Sequence, residues 1–139
     1  PKILAGKPAQ VLGSIDVKHT WTYPLDVARL MQIIATDSKA WGKAWHVPSN
    51  EPKTQKELVN ELAAVAGVKN PKLSSVPKVM WNLLGLFNPL LKALKETAYQ
   101  FQRPYILDDS AARKTFGMQP TEWKQILREV VAETRASDF

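Results

Sequence analysis

The sequence has no cysteine, which excludes a disulfide framework, a thiol nucleophile and a thiolate zinc site. It has two histidines, His19 and His46, and neither carries a His or Glu four residues on, as a metal-binding helix face would require. Both are expected to be strand histidines satisfied by backbone or water. Glycine is scarce: six residues, each at least seven positions from the next. A dinucleotide fingerprint needs three close glycines after a strand, and that spacing is missing. Gly6-Lys7-Pro8 lacks the upstream glycine and the hydroxyl residue of a phosphate loop. Gly13-Ser14-Ile15-Asp16 is not a nucleophile elbow. Tyr23, Tyr99 and Tyr105 are followed four residues later by Val27, Arg103 and Asp109, so no Tyr-x-x-x-Lys catalytic pair exists in the chain. We therefore assign no catalytic, cofactor-binding or metal residue from motifs.

Long apolar runs are absent too. Val79 to Leu94 is interrupted by Asn82, Gly85, Asn88, Pro89 and Lys92, whereas a membrane span needs about 20 nearly unbroken apolar residues. Pro1-Lys2-Ile3-Leu4 leads into Gly, Lys and Pro and not into the apolar core of a signal peptide. A cytoplasmic protein without membrane attachment is expected. The start on Pro1 and not Met leads us to expect a fragment or a processed product.

What is present is the composition of a globular domain. The 139 residues are 45% hydrophobic and 23% charged, enough to bury about two-thirds of the unfolded surface. The net charge is +6, and Lys39 to Lys95, with nine basic and three acidic residues (9 − 3 = +6), carries all of it. A basic balance permits a polyanion partner without establishing one. Nucleic-acid modules join a basic face to exposed aromatics. Here Trp21, Trp45 and Trp123 fall on apolar faces, and Lys53, Lys56, Glu57 and Glu61 make a mixed surface. Nucleic-acid binding is accordingly not the leading reading. A stand-alone basic binding module, for nucleic acid or an acidic protein, is kept as the alternative.

Local patterns predict a helix-dominated chain with a few short strands. One or two strands are expected within Val11 to Tyr23, and a helix from Leu25 to Ala35 with Val27, Leu30, Met31 and Ile34 on its apolar stripe. Ala44 to Val47 reads as a short buried strand. Thr54-x-x-Glu57 is a capping box for a helix to Ala66, closed by Gly67. Lys72 to Val76 reads as a strand. Two helices follow, from Pro77 to Phe87 and on to Gln100, apolar nearly all round and suited to line a pocket or a dimer contact. Tyr105 to Leu107 is a further strand. Asp108 or Asp109 is placed to cap a helix ending at Gly117, and Thr121 to cap the last helix, fraying after Thr134. The adjacent Asp108 and Asp109 point apart, which favours capping over paired acid–base work.

One pattern spans nearly the whole chain. His19-Thr20-Trp21-Thr22-Tyr23-Pro24-Leu25-Asp26-Val27-Ala28, Gly42 to Pro48, the capped helix from Thr54, and Leu107 to Lys114 with Phe116-Gly117 and Pro120-Thr121 together resemble the C-terminal half of extended short-chain dehydrogenase/reductases, the NAD-dependent epimerase/dehydratase group. The resemblance implies an α/β fold (α+β as an isolated piece), a truncated Rossmann-type protein whose cofactor half lies N-terminal to Pro1. Residues 1–50 would pack on the edge of the parent sheet, 51–136 would form a mostly helical substrate lobe, and 137–139 a frayed tail. It further implies NAD or NADP in the parent and none bound to this fragment, with hydride transfer to or from a small-molecule substrate. His19, Trp21, Tyr23, Trp81, Arg103 and Tyr105 become substrate-binding candidates. The family's nucleotide-sugar members place an arginine where His19 stands, and an imidazole does not replace a bidentate guanidinium at a phosphate. The substrate expected is therefore small and apolar or carbonyl-bearing, with Arg103 as the one nearby cation. The faces that would meet the cofactor half, on Leu25 to Ala35 and Ala44 to Val47, should be apolar and in need of cover. A homodimer through those faces is the corollary.

Overall fold

The computed structural model describes residues 2–11, 13–76 and 98–137. Among them the chain forms four α-helices and four short strands in two separate two-stranded sheets. The expected helices between Pro77 and Phe87 and on to Gln100 lie outside the described residues, apart from a 3-10 turn at Ala98–Phe101. The helix-rich α/β character expected from the sequence is present. Among the described residues, no helix is long and apolar enough to cross a membrane.

Strand β1 (Ala9–Val11) pairs in parallel with β4 (Leu73–Ser75), with Ala9 opposite Leu73 and Val11 opposite Ser75. Strand β2 (Lys18–His19) pairs antiparallel with β3 (Lys53–Thr54). On its other edge His19 forms a parallel bridge to Tyr105, closed by Thr20 N–H donating to the Tyr105 carbonyl at 2.8 Å. The expected strand at Tyr105 to Leu107 is thus a single bridge. Leu107 N–H donates instead to the Thr20 hydroxyl oxygen at 3.0 Å.

Helix α1 (Pro24–Thr36) begins with Pro24, whose fixed φ and missing N–H suit the first turn. Its buried side chains are Leu30 and, unexpectedly, Asp26. Met31, expected on the core stripe, is 61% exposed, and Leu25 is 56% exposed. Asp26 is 1% exposed and serves another element: its carboxylate accepts from Thr121 N–H at 2.8 Å and the Thr121 hydroxyl at 2.7 Å, and pairs with Arg29 at 2.9 Å. A buried carboxylate is tolerated only when hydrogen-bonded and paired in this way. Thr121 therefore does not cap the last helix. Its hydroxyl is spent on Asp26, and α4 (Trp123–Ser137) starts two residues later, staying helical past Thr134 to Ser137.

Helix α2 (Gln55–Ala66) has both halves of the predicted capping box and ends on Gly67 at φ 73°. Ala63 on α2 and Ile126, Leu127 and Val131 on α4 are buried where the two helices pack. Arg135 of α4 donates to the Ala66 carbonyl at 2.9 Å, satisfying one of the carbonyls a helix C-terminus leaves open. Helix α3 (Ser110–Phe116) ends at Gly117, as predicted. At its start the capping expectation holds for Asp108, which takes the first helical N–H, and needs correction for Asp109. Asp109 holds the N-cap position without a side-chain cap bond; its carboxylate accepts from Ser49 N–H at 2.6 Å and pairs with Arg113 at 2.8 Å, tying the Val47–Ser49 turn to α3. Asp108 accepts from Ser110 N–H at 3.0 Å.

No strand forms at Ala44 to Val47. Burial there nevertheless alternates, with Ala44 and His46 exposed and Trp45 and Val47 half-buried, the two-residue period of a strand. Side chains hold the segment: Trp45 Nε1 donates to the Ala40 carbonyl at 2.8 Å, its ring meets Phe116 edge-on at 4.7 Å, and His46 Nδ1 donates to the Asp108 carbonyl at 2.9 Å.

Candidate functional site

The β2 bridge gathers residues from distant parts of the chain around one groove of about 580 Å³. His19, Thr20 and Trp21 come from β2 and its continuation, Tyr105 from the bridged segment, Gln10 and Val11 from β1, Gln55 from the start of α2, and Gln100 and Phe101 from the 3-10 turn. Strand alternation explains the first set. Lys18 faces solvent while His19 is buried, and Trp21, two residues on, falls on the same side as His19, with ring centroids 6.3 Å apart.

His19 Nε2–H donates to the Arg103 carbonyl at 3.0 Å. A carbonyl only accepts, so this bond assigns the Nε2 proton and leaves Nδ1 as the second ring nitrogen, neither sealed from solvent nor bonded to a described residue. Both histidines meet a backbone carbonyl, as expected, but only His19 lies on a strand. Trp21 Nε1 donates to the Lys53 carbonyl at 2.8 Å, which fixes its ring plane at the groove wall.

Phe101 is held by a close backbone approach. Ser14 N–H donates to the Phe101 carbonyl at 2.9 Å, and Gly13, at φ +79°, lies so near that a Cβ on it would stand 2.3 Å from Phe101 Cβ. Only glycine meets both demands. Ser75 of β4 donates to the Gly13 carbonyl, joining the β1–β4 pair to this turn.

The structure brings three of the six candidate residues, His19, Trp21 and Tyr105, to this groove. Arg103 reaches it through its backbone carbonyl; its side chain is exposed and is not part of the described lining. Trp81 lies outside the described residues. Tyr23 lines a different cavity, an apolar slot of about 230 Å³ formed with Trp21, Leu58, Leu62, Trp123, Leu127 and Val130 among others. Its hydroxyl donates to Glu129. That bond, with burial and the Glu129 charge, pushes the Tyr23 hydroxyl up to about 12, and the same bond holds Glu129 below the usual carboxylate range.

Gln10, Gln100, Thr20 and Phe101 are groove residues that sequence reasoning missed. Amides carry no motif, and Gln10 and Gln100 meet only because a tertiary arrangement unites chain segments some 90 positions apart. Two lysines near the groove have other partners. Lys53 pairs with Glu61 and lies 5.6 Å over the Trp123 ring, and Lys56 stands 3.9 Å from Asp16. Among the described residues, no three His, Asp or Glu side chains converge to hold a metal ion. The described glycines sit in separate turns, so these residues do not fit the pyrophosphate of a dinucleotide. The chain matches no family model, no curated protein and no solved structure.

Proposed function

We propose that this chain is the substrate-binding C-terminal portion of an NAD(P)-dependent oxidoreductase or epimerase, and that it closes over a cofactor held by a separate nucleotide-binding half. Its own residues contribute a groove that binds and orients a small molecule. They supply neither the cradle for the cofactor nor the catalytic pair.

The observation that carries the reading is an apolar surface left bare on α1 and just beyond it. Helix α1 exposes Leu25, Ala28, Met31 and Ala35 on adjoining turns, and Trp41 just beyond it is 65% exposed. Next in the chain, Ala44 to Val47 alternates in burial like a strand while making no ladder bond to any described strand. An apolar helix face beside an unpaired strand-like segment is what remains when a layer is lifted from the edge of a parallel α/β sheet, since such sheets are covered on both faces. The resemblance to the dehydrogenase/reductase family supplies the identity of the missing layer; the exposed face supplies the physical need for one.

Calorimetric titration of the chain with NAD(H) and NADP(H) tests the proposal. No saturable binding below millimolar concentration is expected. Micromolar affinity for either dinucleotide would overturn it. Salt-sensitive binding to generic DNA or RNA, with affinity falling steeply as salt rises, would instead select the basic-module alternative.

A further inference from the structure

We infer that the groove selects an uncharged ring compound carrying several hydroxyl or carbonyl groups, and rejects phosphorylated or nucleotide-linked ligands. The inference rests on the proposed substrate-binding role and adds the chemical class of the substrate.

Three observations support it. First, the described lining contains no lysine, arginine, aspartate or glutamate: it is Gln10, Val11, His19, Thr20, Trp21, Gln55, Gln100, Phe101 and Tyr105. From these described residues a phosphate gains no charge-assisted bond, the contact that phosphate sites are built around. Second, the polar groups on offer suit hydroxyls and carbonyls. The Gln10 and Gln100 amides, the Tyr105 hydroxyl and His19 Nδ1 have no partner among the described residues. Each amide both donates and accepts, as does the tyrosine, which matches a hydroxyl group's own dual character. The Thr20 oxygen accepts from Leu107 N–H, leaving its hydrogen to donate. Third, Trp21, Phe101 and Tyr105 add flat apolar walls against which a ring can lie, and a groove of about 580 Å³ has the size of a small-molecule site. Arg103, the cation the sequence offered for an anionic substrate, commits only its carbonyl here, to His19.

The test is heteronuclear NMR of the full chain at mildly alkaline pH, following the Trp21 indole and the Gln10 and Gln100 side-chain amides. Methyl glucoside and resorcinol serve as uncharged probes, glucose phosphate and uridine diphosphate as charged ones. The uncharged probes are expected to shift these signals saturably, at least ~10-fold more tightly than the charged ones, a gap of about 1.4 kcal/mol. Tyr105→Phe, which removes one exposed hydroxyl and nothing else, is expected to weaken them about 2- to 10-fold, the worth of one hydrogen bond. Tighter binding of either charged probe overturns the inference, as does the failure of both uncharged probes to shift the groove signals. The dinucleotide titration separates this from the parent reading. Micromolar NAD(P) affinity with a preference for uncharged probes removes the parent assignment and keeps the ligand class. A phosphate preference without dinucleotide affinity does the reverse.

Discussion

Replacing Gly13 by alanine probes the joint that fixes the groove. Gly13 sits at φ +79°, where an L side chain costs about 1–2 kcal/mol. Its new Cβ would also stand 2.3 Å from Phe101 Cβ and 2.5 Å from the Phe101 carbonyl oxygen. The oxygen belongs to the backbone and accepts from Ser14 N–H, so it cannot swing aside as a flexible side chain would. Relieving such a clash by moving the backbone costs about 1–3 kcal/mol more. The sum is about 2–5 kcal/mol. Gly42 is the internal control, with φ +69° and nothing within 4 Å of where a Cβ would stand. Gly42→Ala meets only the backbone strain, partly offset by the lower entropy of the unfolded chain, for a net cost of about 1 kcal/mol. Urea unfolding followed by tryptophan fluorescence gives both values at equal protein concentration, with matched slopes securing the comparison. If the two substitutions cost the same within about 0.5 kcal/mol, the close approach of Gly13 to Phe101 is not what holds that wall of the groove.

Three further outcomes follow from the packing. Asp26→Ala leaves Thr121 N–H and hydroxyl without their acceptor and is expected to cost about 3–5 kcal/mol, read from the urea midpoint; a loss under about 1 kcal/mol contradicts the α1–Thr121 tie. Tyr23 ionises late because its proton is held against Glu129, so the stability it contributes is fully present below its ordinary value of 10.0 and is lost as pH rises towards about 12. Ultraviolet titration should find one tyrosine ionising in that upper range, and Glu129→Gln should bring it down. The chain is expected to bind an apolar dye through its exposed α1 face, and Leu25→Lys combined with Met31→Glu to abolish that binding while changing its urea unfolding free energy by less than about 0.5 kcal/mol, because both side chains are exposed; absence of dye binding by the unsubstituted chain contradicts the bare face.

What could be read from the sequence divides along a physical line. The Thr54–Glu57 box, Gly67 and Gly117 were legible because each acts within a few residues of itself. Of the two aspartates offered as caps, Asp108 takes the Ser110 N–H, whereas tertiary partners claim Asp109 and Thr121: Ser49 and Arg113 take the Asp109 carboxylate, and Asp26 takes Thr121. Local propensity cannot see a partner 60 or 95 residues away. Met31 satisfied the helical stripe yet lies outside, since a periodic pattern gives a face without saying which neighbour covers it. Ala44 to Val47 has the alternation of a strand and lacks the partner that would make it one. At the groove, His19 and Trp21 come from the aromatic-rich segment and Tyr105 from the short stretch after Arg103, all three singled out locally by residue type. Gln10, Gln100 and Phe101 depended on the β1–β4 register and the Gly13 turn, which three-residue strands are too short to announce.

Whether this chain closes over a nucleotide-binding half, as proposed, is decided by the coding sequence upstream of the Pro1 codon. The expected result is a continuous frame encoding a strand, a Gly-x-Gly-x-x-Gly turn opening a helix, and a Tyr-x-x-x-Lys pair, all within about 200 residues, the span of one ordinary domain. An upstream frame of that length with neither the glycine-rich turn nor the tyrosine–lysine pair would contradict it.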